Sequence, residues 1–320
     1  MSPRLDLALN SGLSLSQSLT VLAPTPDHDL SGLPRAALVV QPFKPFHDHF
    51  AAQGFAATPD GDAPCQDAIV FLPRAKALAR ALVHQACRCA SGVVVVDGAK
   101  TDGVDSLLKD IRKRVPVEGP ISKAHGKIFW FGSDADAFAD WAAPDAQMSE
   151  GYRTAPGVFS ADGIDPASAL LLQSLPQKRG ARIADLGAGW GFLSAHLIDG
   201  SLHSLHLVEA NHTALTCARA NVSDPRAQFH WADATTWTAP EPLDTVIMNP
   251  PFHTSRSADP ALGQGFIASA ARNLARNGHL WMVANRHLPY EATLAETFAR
   301  VEDVAGDNRF KVFHASRPRG

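Results

Sequence analysis

The chain has 320 residues, enough for two domains of ordinary size, and its 45% hydrophobic and 19% charged content is that of a globular protein with real cores. A formal net charge of -3 argues against coating nucleic acid by bulk electrostatics, though a local patch could still read it. Four cysteines, Cys65, Cys87, Cys89 and Cys217, match neither a redox nor a zinc spacing and read as free thiols of a reducing cytoplasm. The opening residues lack an apolar signal core, and no apolar run is long enough to cross a bilayer. The expectation is a cytoplasmic protein that acts as a monomer, away from membranes and without a metal.

Strand and helix signals alternate along the chain. In the first half "AALVV" (36–40), "DAIVFL" (67–72) and "GVVVVD" (92–97) are short β-branched runs, with helical stretches at 74–89 and 104–114 between and after them. This is the grammar of a parallel sheet covered on both faces. The periodicity breaks at "APDAQMSEGYRTAPG" near 143–155, which places a domain boundary at 150/151. Beyond it the pattern returns: "ARIADLG" (181–187), "LHLVEA" (205–210), "DTVIMN" (244–249) and "HLWMVAN" (279–285) read as strands. Residues 212–222 and 265–278 read as helices, the second ended by Gly278. Order and spacing agree between the halves, which implies an internal duplication. The expected architecture is α/β, with two tandem Rossmann-like domains over 1–150 and 151–320. Only the second carries a glycine-rich turn, so the first is expected to keep the fold without the chemistry.

That turn is "IADLGAGWG" (183–191). Gly187, Gly189 and Gly191 let the backbone turn sharply and come close to a ligand. A dinucleotide fingerprint wants a further glycine where Phe192 stands. Asp185, two residues before the first glycine, suits S-adenosylmethionine better, with a dinucleotide left as the alternative. Glu209 ends the next strand, 24 residues on, where a carboxylate can accept both ribose hydroxyls of an adenosine. Asp233, another 24 residues on in "FHWADAT", can accept from an adenine amino group, with the Ala234 N–H beside it.

The fourth strand ends in Asn249-Pro250-Pro251-Phe252. Prolines fix φ and stiffen the turn. The Asn249 side-chain oxygen and the Pro250 carbonyl form two acceptors suited to the two N–H bonds of one planar amine, and Phe252 offers a stacking face. Such an amine is a weak nucleophile because its lone pair is delocalised, so alignment against an activated methyl group is the protein's main task. His253 is expected to position rather than to act as a base. His47-Asp48-His49 has no further partner for a metal, and Trp130, Trp141, Trp231 and Trp237 read as core or rim aromatics.

"NPPFH", together with "PGVFSADGIDPASALLL" (156–172), "VANRHLPYEATLAETF" (283–298) and "RFKVFHA" (309–315), resembles the ribosomal RNA guanine-N2 methyltransferases of the small-subunit methyltransferase C type. The resemblance is strong over 151–320 and only in outline before. It implies methyl transfer from S-adenosylmethionine to a guanine of 16S rRNA or of the small ribosomal subunit, with a degenerate first domain that helps hold the substrate. It also implies that Gly187, Gly189, Glu209 and Asp233 contact the cofactor, that Phe159 and Ser160 flank it, and that Asn249 and Phe252 hold the base. The second half has 15 basic and 15 acidic residues, so RNA has no dense basic surface there. Basic clusters that could grip a backbone are Lys109, Arg112, Lys113 and Arg114, and Arg309, Lys311, Arg317 and Arg319. Adenine-N6 or protein-glutamine methylation shares the same logic, and a non-catalytic assembly factor is the alternative of another class.

Overall fold

The computed structural model describes residues 3–144, 147–251 and 260–319. The chain divides into two compact units, Met1–Asp145 and Ala146–Gly320.

In the first unit α1 (Pro3–Asn10) precedes β1 (Leu19–Leu22), β2 (Leu38–Val40), α2 (Lys44–Ala52), β3 (Ala56–Thr58) and β4 (Asp67–Phe71). Then come α3 (Lys76–Cys89), β5 (Val93–Ala99), α4 (Val104–Ile111), β6 (Glu118–Lys123) and β7 (Gly126–Gly132). The sheet order is β3-β2-β1-β4-β5-β7-β6, with β3 to β5 parallel and β7 antiparallel to both its neighbours. The run at 36–40, expected to be the first strand, holds β2 instead: β1 comes earlier and lies inside the sheet between β2 and β4. Four residues, all buried, are too few to show a period beside a serine-rich stretch.

The second unit opens on a hairpin, β8 (Gln147–Ser149) and β9 (Tyr152–Thr154). There follow α5 (Pro166–Ser174), β10 (Arg182–Leu186), α6 (Phe192–Ala195), β11 (Ser204–Glu209), α7 (His212–Asn221) and β12 (Ala227–Trp231). β13 (Leu243–Met248), α8 (Pro260–Asn273), β14 (Leu274–Asn285), α9 (Glu291–Thr297), β15 (Phe298–Gly306) and β16 (Phe310–Pro318) complete it. The sheet order is β12-β11-β10-β13-β14-β16-β15, the same permutation as in the first unit. Successive residues feed opposite faces. Ile183 and Ile247 join the cluster under α5, α6 and α7, while Ala184, Val246 and Met248 join the cluster under α8 and α9. These central strands are therefore buried on both sides, which is why they read as continuous apolar runs.

Asp244, the second residue of β13, is structural. Its Oδ2 accepts from the backbone N–H of Ala181 at 3.0 Å and of Arg182 at 2.9 Å, and its Oδ1 accepts from the Arg182 guanidinium at 2.7 Å. A second correction concerns 265–278. The helix stops at Asn273, and Leu274 already pairs with Leu243 before a register shift leads to Thr245 opposite His279. A Cβ on Gly278 would stand 3.0 Å from the carbonyl oxygens of Ala275 and Leu243. The glycine thus serves a close approach of two backbones in a bulge rather than a helix cap.

Candidate active site

The turn after β10, the end of β13 and the start of α5 enclose one open cleft at the carboxyl end of the sheet, where ligands of such folds sit. Its floor is the turn after β10, from Gly187 to Trp190, with Phe192 and Leu193 of α6 behind it. One wall is Phe159 and Ser160, and the other is Asp165, Ser168 and Asn249. Phe159 is 56% exposed and presents its ring at the cleft.

The loop is held from below. Glu209, half-buried at the end of β11, accepts from the Gly189 N–H at 2.8 Å through Oε2 and from the Asn211 N–H at 2.7 Å through Oε1. Burial pushes its carboxyl up from the usual range, and those backbone donors oppose the shift. Asp185 is 1% exposed and lies beneath the loop rather than on the cleft surface. Its Oδ2 accepts from the Ser194 hydroxyl at 2.8 Å, and its Oδ1 has no partner among the described residues. Burial first, and then the charge of Glu209, raise its pKa to about 7 against the pull of Ser194.

The glycines differ in purpose. At Gly189 φ is +56° and an added Cβ would meet nothing within 4 Å, so the backbone there faces open space. At Gly191 an added Cβ would meet Val222 and Ala218 at 3.1 and 3.2 Å, so that glycine serves the packing of α6 on α7. Two features fit S-adenosylmethionine: a loop left bare where a ligand must come close, and an acid at the end of the neighbouring strand. Asp233 lies two residues beyond β12, with its Oδ1 engaged by the N–H and hydroxyl of Thr235. Ala234 is 4% exposed, its carbonyl accepting from Ser269 at 2.6 Å.

Asn249 follows β13 directly. Its Nδ2 donates to Asp165 Oδ2 and to Ser168 Oγ, both at 2.9 Å. Among the described residues nothing donates to its Oδ1. Pro250 is buried, and Phe252 and His253 lie outside the described residues.

Sequence reasoning missed several contributors. Asp165 and Ser168 went unnoticed because they look like an ordinary helix start, which they also are. Trp190 donates from its indole N–H to the Phe159 carbonyl at 3.0 Å and so ties the loop to the exposed wall. Asn221 donates to the carbonyls of Arg153 and Trp190 at 2.8 and 2.7 Å, pinning the hairpin to the loop. Of the basic clusters, Lys311 is 5% exposed and paired with Glu291, so it does not offer its charge to an RNA backbone. Arg114 is paired with Asp140 and lies 4.7 Å from the Trp141 ring.

Residues 151–314 match the model of the methyltransferase small domain. The ribosomal RNA small subunit methyltransferase C of Shewanella halifaxensis is 30% identical over 96% of this chain and 96% of its own length. The chain belongs to the ribosomal RNA small subunit methyltransferase C family. It is a methyltransferase. Another member, from Acinetobacter baylyi, is 28% identical over 98% of this chain and 99% of its own. The family fold extends to a solved structure, the T. thermophilus 16S rRNA N2 G1207 methyltransferase in complex with AdoMet and guanosine. It superposes with a TM-score of 0.78 at 21% identity, over 99% of this chain and 92% of that one. Two tandem Rossmann-like sheets are thus the family architecture. Among the described residues no helix is long and apolar enough to cross a membrane.

Proposed function

We propose that this chain transfers a methyl group from S-adenosylmethionine to the exocyclic N2 amine of a guanine in 16S rRNA, on free RNA or the small ribosomal subunit in the cytoplasm. The observation that carries the reading is Asn249, whose amide nitrogen is occupied by Asp165 and Ser168 at the wall of the cleft and whose oxygen is the free end.

When bound, S-adenosylmethionine supplies a methyl group already activated by its sulfonium. Gly187 and Gly189 would lie against it, Glu209 would accept from its ribose hydroxyls, Asp233 from its adenine amine with the Ala234 N–H beside it, and Phe159 and Ser160 would flank it. Asp185 and Gly191 act from beneath, by holding the loop and α6 in place. The target guanine leaves its stack to reach the cleft. Asn249 Oδ1 accepts one N–H of its amine and the Pro250 carbonyl accepts the other, which draws the nitrogen toward tetrahedral geometry and aims its lone pair. The same two acceptors stabilise the positive charge that develops on nitrogen. Phe252 stacks on the base. The S–CH₃ bond breaks as the N–CH₃ bond forms, S-adenosylhomocysteine is released, and the methylated nitrogen gives up its extra proton to water, so no side chain need remove one first. The first unit holds the substrate without a cofactor of its own.

Tritium transfer from labelled cofactor to small ribosomal subunits, free RNA, DNA and protein tests the reading. The expected product on nucleoside digestion is N2-methylguanine, and Asn249→Ala is expected to slow transfer by about 10²- to 10³-fold, as for loss of one group that stabilises developing charge. Label in N6-methyladenine or in protein would redirect the assignment, and an Asn249→Ala variant at full speed would remove its mechanism.

A further inference from the structure

We infer that Asp165 and Ser168 are positioning residues that hold Asn249 in the one amide orientation able to accept from the target amine. The inference rests on the reading of Asn249 given above and explains how that side chain is aimed.

A side-chain amide has two faces that differ only in which end donates. Rotated by half a turn, Asn249 would present an NH₂ group to an incoming amine, donor against donor, and could accept nothing. Ser168 alone cannot prevent this, because a hydroxyl both donates and accepts. Asp165 can. An ionised carboxylate is acceptor-only, so an inverted Asn249 would set its own oxygen 2.9 Å from Asp165 Oδ2. The arrangement therefore assigns the amide by chemistry: nitrogen toward Asp165, oxygen toward the cleft.

Asp165 is itself fixed. It is the N-cap of α5, its Oδ2 accepts the Ser168 N–H at 2.8 Å, and Pro166 follows at the first helical position. One carboxylate oxygen thus serves a helix terminus and the Asn249 side chain together. Ser168, 7% exposed in the first turn, supplies the second acceptor from the same rigid element. The helix terminus holds the orienting groups still, so that Asn249 need not be ordered anew when substrate arrives.

Two substitutions separate this role from folding. Ser168→Ala leaves the Asp165 cap and its backbone donor in place. Asp165→Ser keeps a good N-cap but is too short to reach Asn249. Ser168→Ala is expected to lower the single-turnover transfer rate by about 2- to 10-fold, the range for losing a neutral hydrogen bond, and Asp165→Ser by about 10- to 100-fold, the range for one to a charged partner. Cofactor Kd, measured by equilibrium dialysis with labelled S-adenosylmethionine, is expected to stay within about 2-fold of wild type, well short of the 10-fold that a lost contact gives. Asp165→Asn, which keeps both the cap and the reach but not the charge, is expected to restore part of the rate. The deciding measurement is a double-mutant cycle: added to Asn249→Ala, either substitution is expected to slow transfer no further. A rate loss undiminished in the Asn249→Ala background, or a loss confined to cofactor Kd, overturns the positioning role. If Asn249→Ala is slow while Ser168→Ala and Asp165→Ser run at full speed, this inference alone falls. If Asn249→Ala itself runs at full speed, the proposed function falls with it.

Discussion

A carboxyl group with 1% exposure and one unpartnered oxygen is costly to keep ionised, and Asp185 is such a group. Its pKa stands at about 7, raised first by burial. The unfolded chain gives up this proton near pH 4 and the folded chain keeps it to near pH 7, so the folded state holds the extra proton between them. Stability therefore falls as pH rises through that window. Asp185→Asn removes the titration, and the variant is expected to gain on wild type by on the order of 2–4 kcal/mol between pH 4 and pH 8. Urea unfolding of both proteins across that range checks the sign, and parallel curves would refute it. The residue was visible in the sequence as the acid before a glycine loop. That it lies under the loop, hydrogen-bonded to Ser194, was not, since spacing says nothing about depth.

At the scale of the element, the turn between β10 and α6 shows how one motif can combine unlike requirements. Three alternating glycines read as a single signal. In the fold, Gly189 faces open cleft, while Gly191 stands against Val222 and Ala218 of another helix and its end. Both have positive φ, so alanine costs roughly 1–2 kcal/mol of backbone strain at either. The further consequences diverge. Gly189→Ala is expected to keep its melting temperature within about 5 °C of wild type, the shift such strain gives, while its Cβ enters the cofactor's space and weakens binding at least tenfold. Gly191→Ala is expected to lose melting temperature by more, because the helix contact must give. Thermal unfolding beside equilibrium dialysis separates them, and equal losses of both properties in the two variants would contradict the division. The helix that ends at Asn273 instead of Gly278 teaches the same lesson: a glycine marks an exception in the backbone without saying which.

At the scale of the molecule, two sheets share one strand permutation and differ in what stands at their carboxyl ends. In the second unit the Gly187 N–H reaches the Val208 carbonyl at 2.8 Å, and a bare loop follows. In the first unit the Ala23 N–H reaches the Val40 carbonyl at 3.0 Å, but Pro24 and Pro26 follow. The Gln41 side chain is tied to the Pro24 carbonyl at 2.6 Å, and the His28 ring stacks on Phe71 at 4.0 Å. The chain's own side chains occupy the strand ends there. Calorimetric titration with S-adenosylmethionine is accordingly expected to give one molecule bound per chain, and the stoichiometry should be unchanged by Gln41→Ala. Two equivalents would show that the first unit kept a site.

Much of this protein is written locally. Alternating apolar strands and amphipathic helices, a glycine turn after a buried strand and an Asn-Pro-Pro at the end of another are each contained within about ten residues, so period and backbone chemistry reveal them without a partner. The aiming of Asn249 is written nowhere locally. Asp165 and Ser168 are 84 and 81 residues away from it, and along the chain they do no more than start a helix. Only when β13 lies between β10 and β14, with α5 packed on β14, does the helix cap become an acceptor for the amide. A contact of that kind depends on the assembled sheet, and short-range pattern carries no record of it.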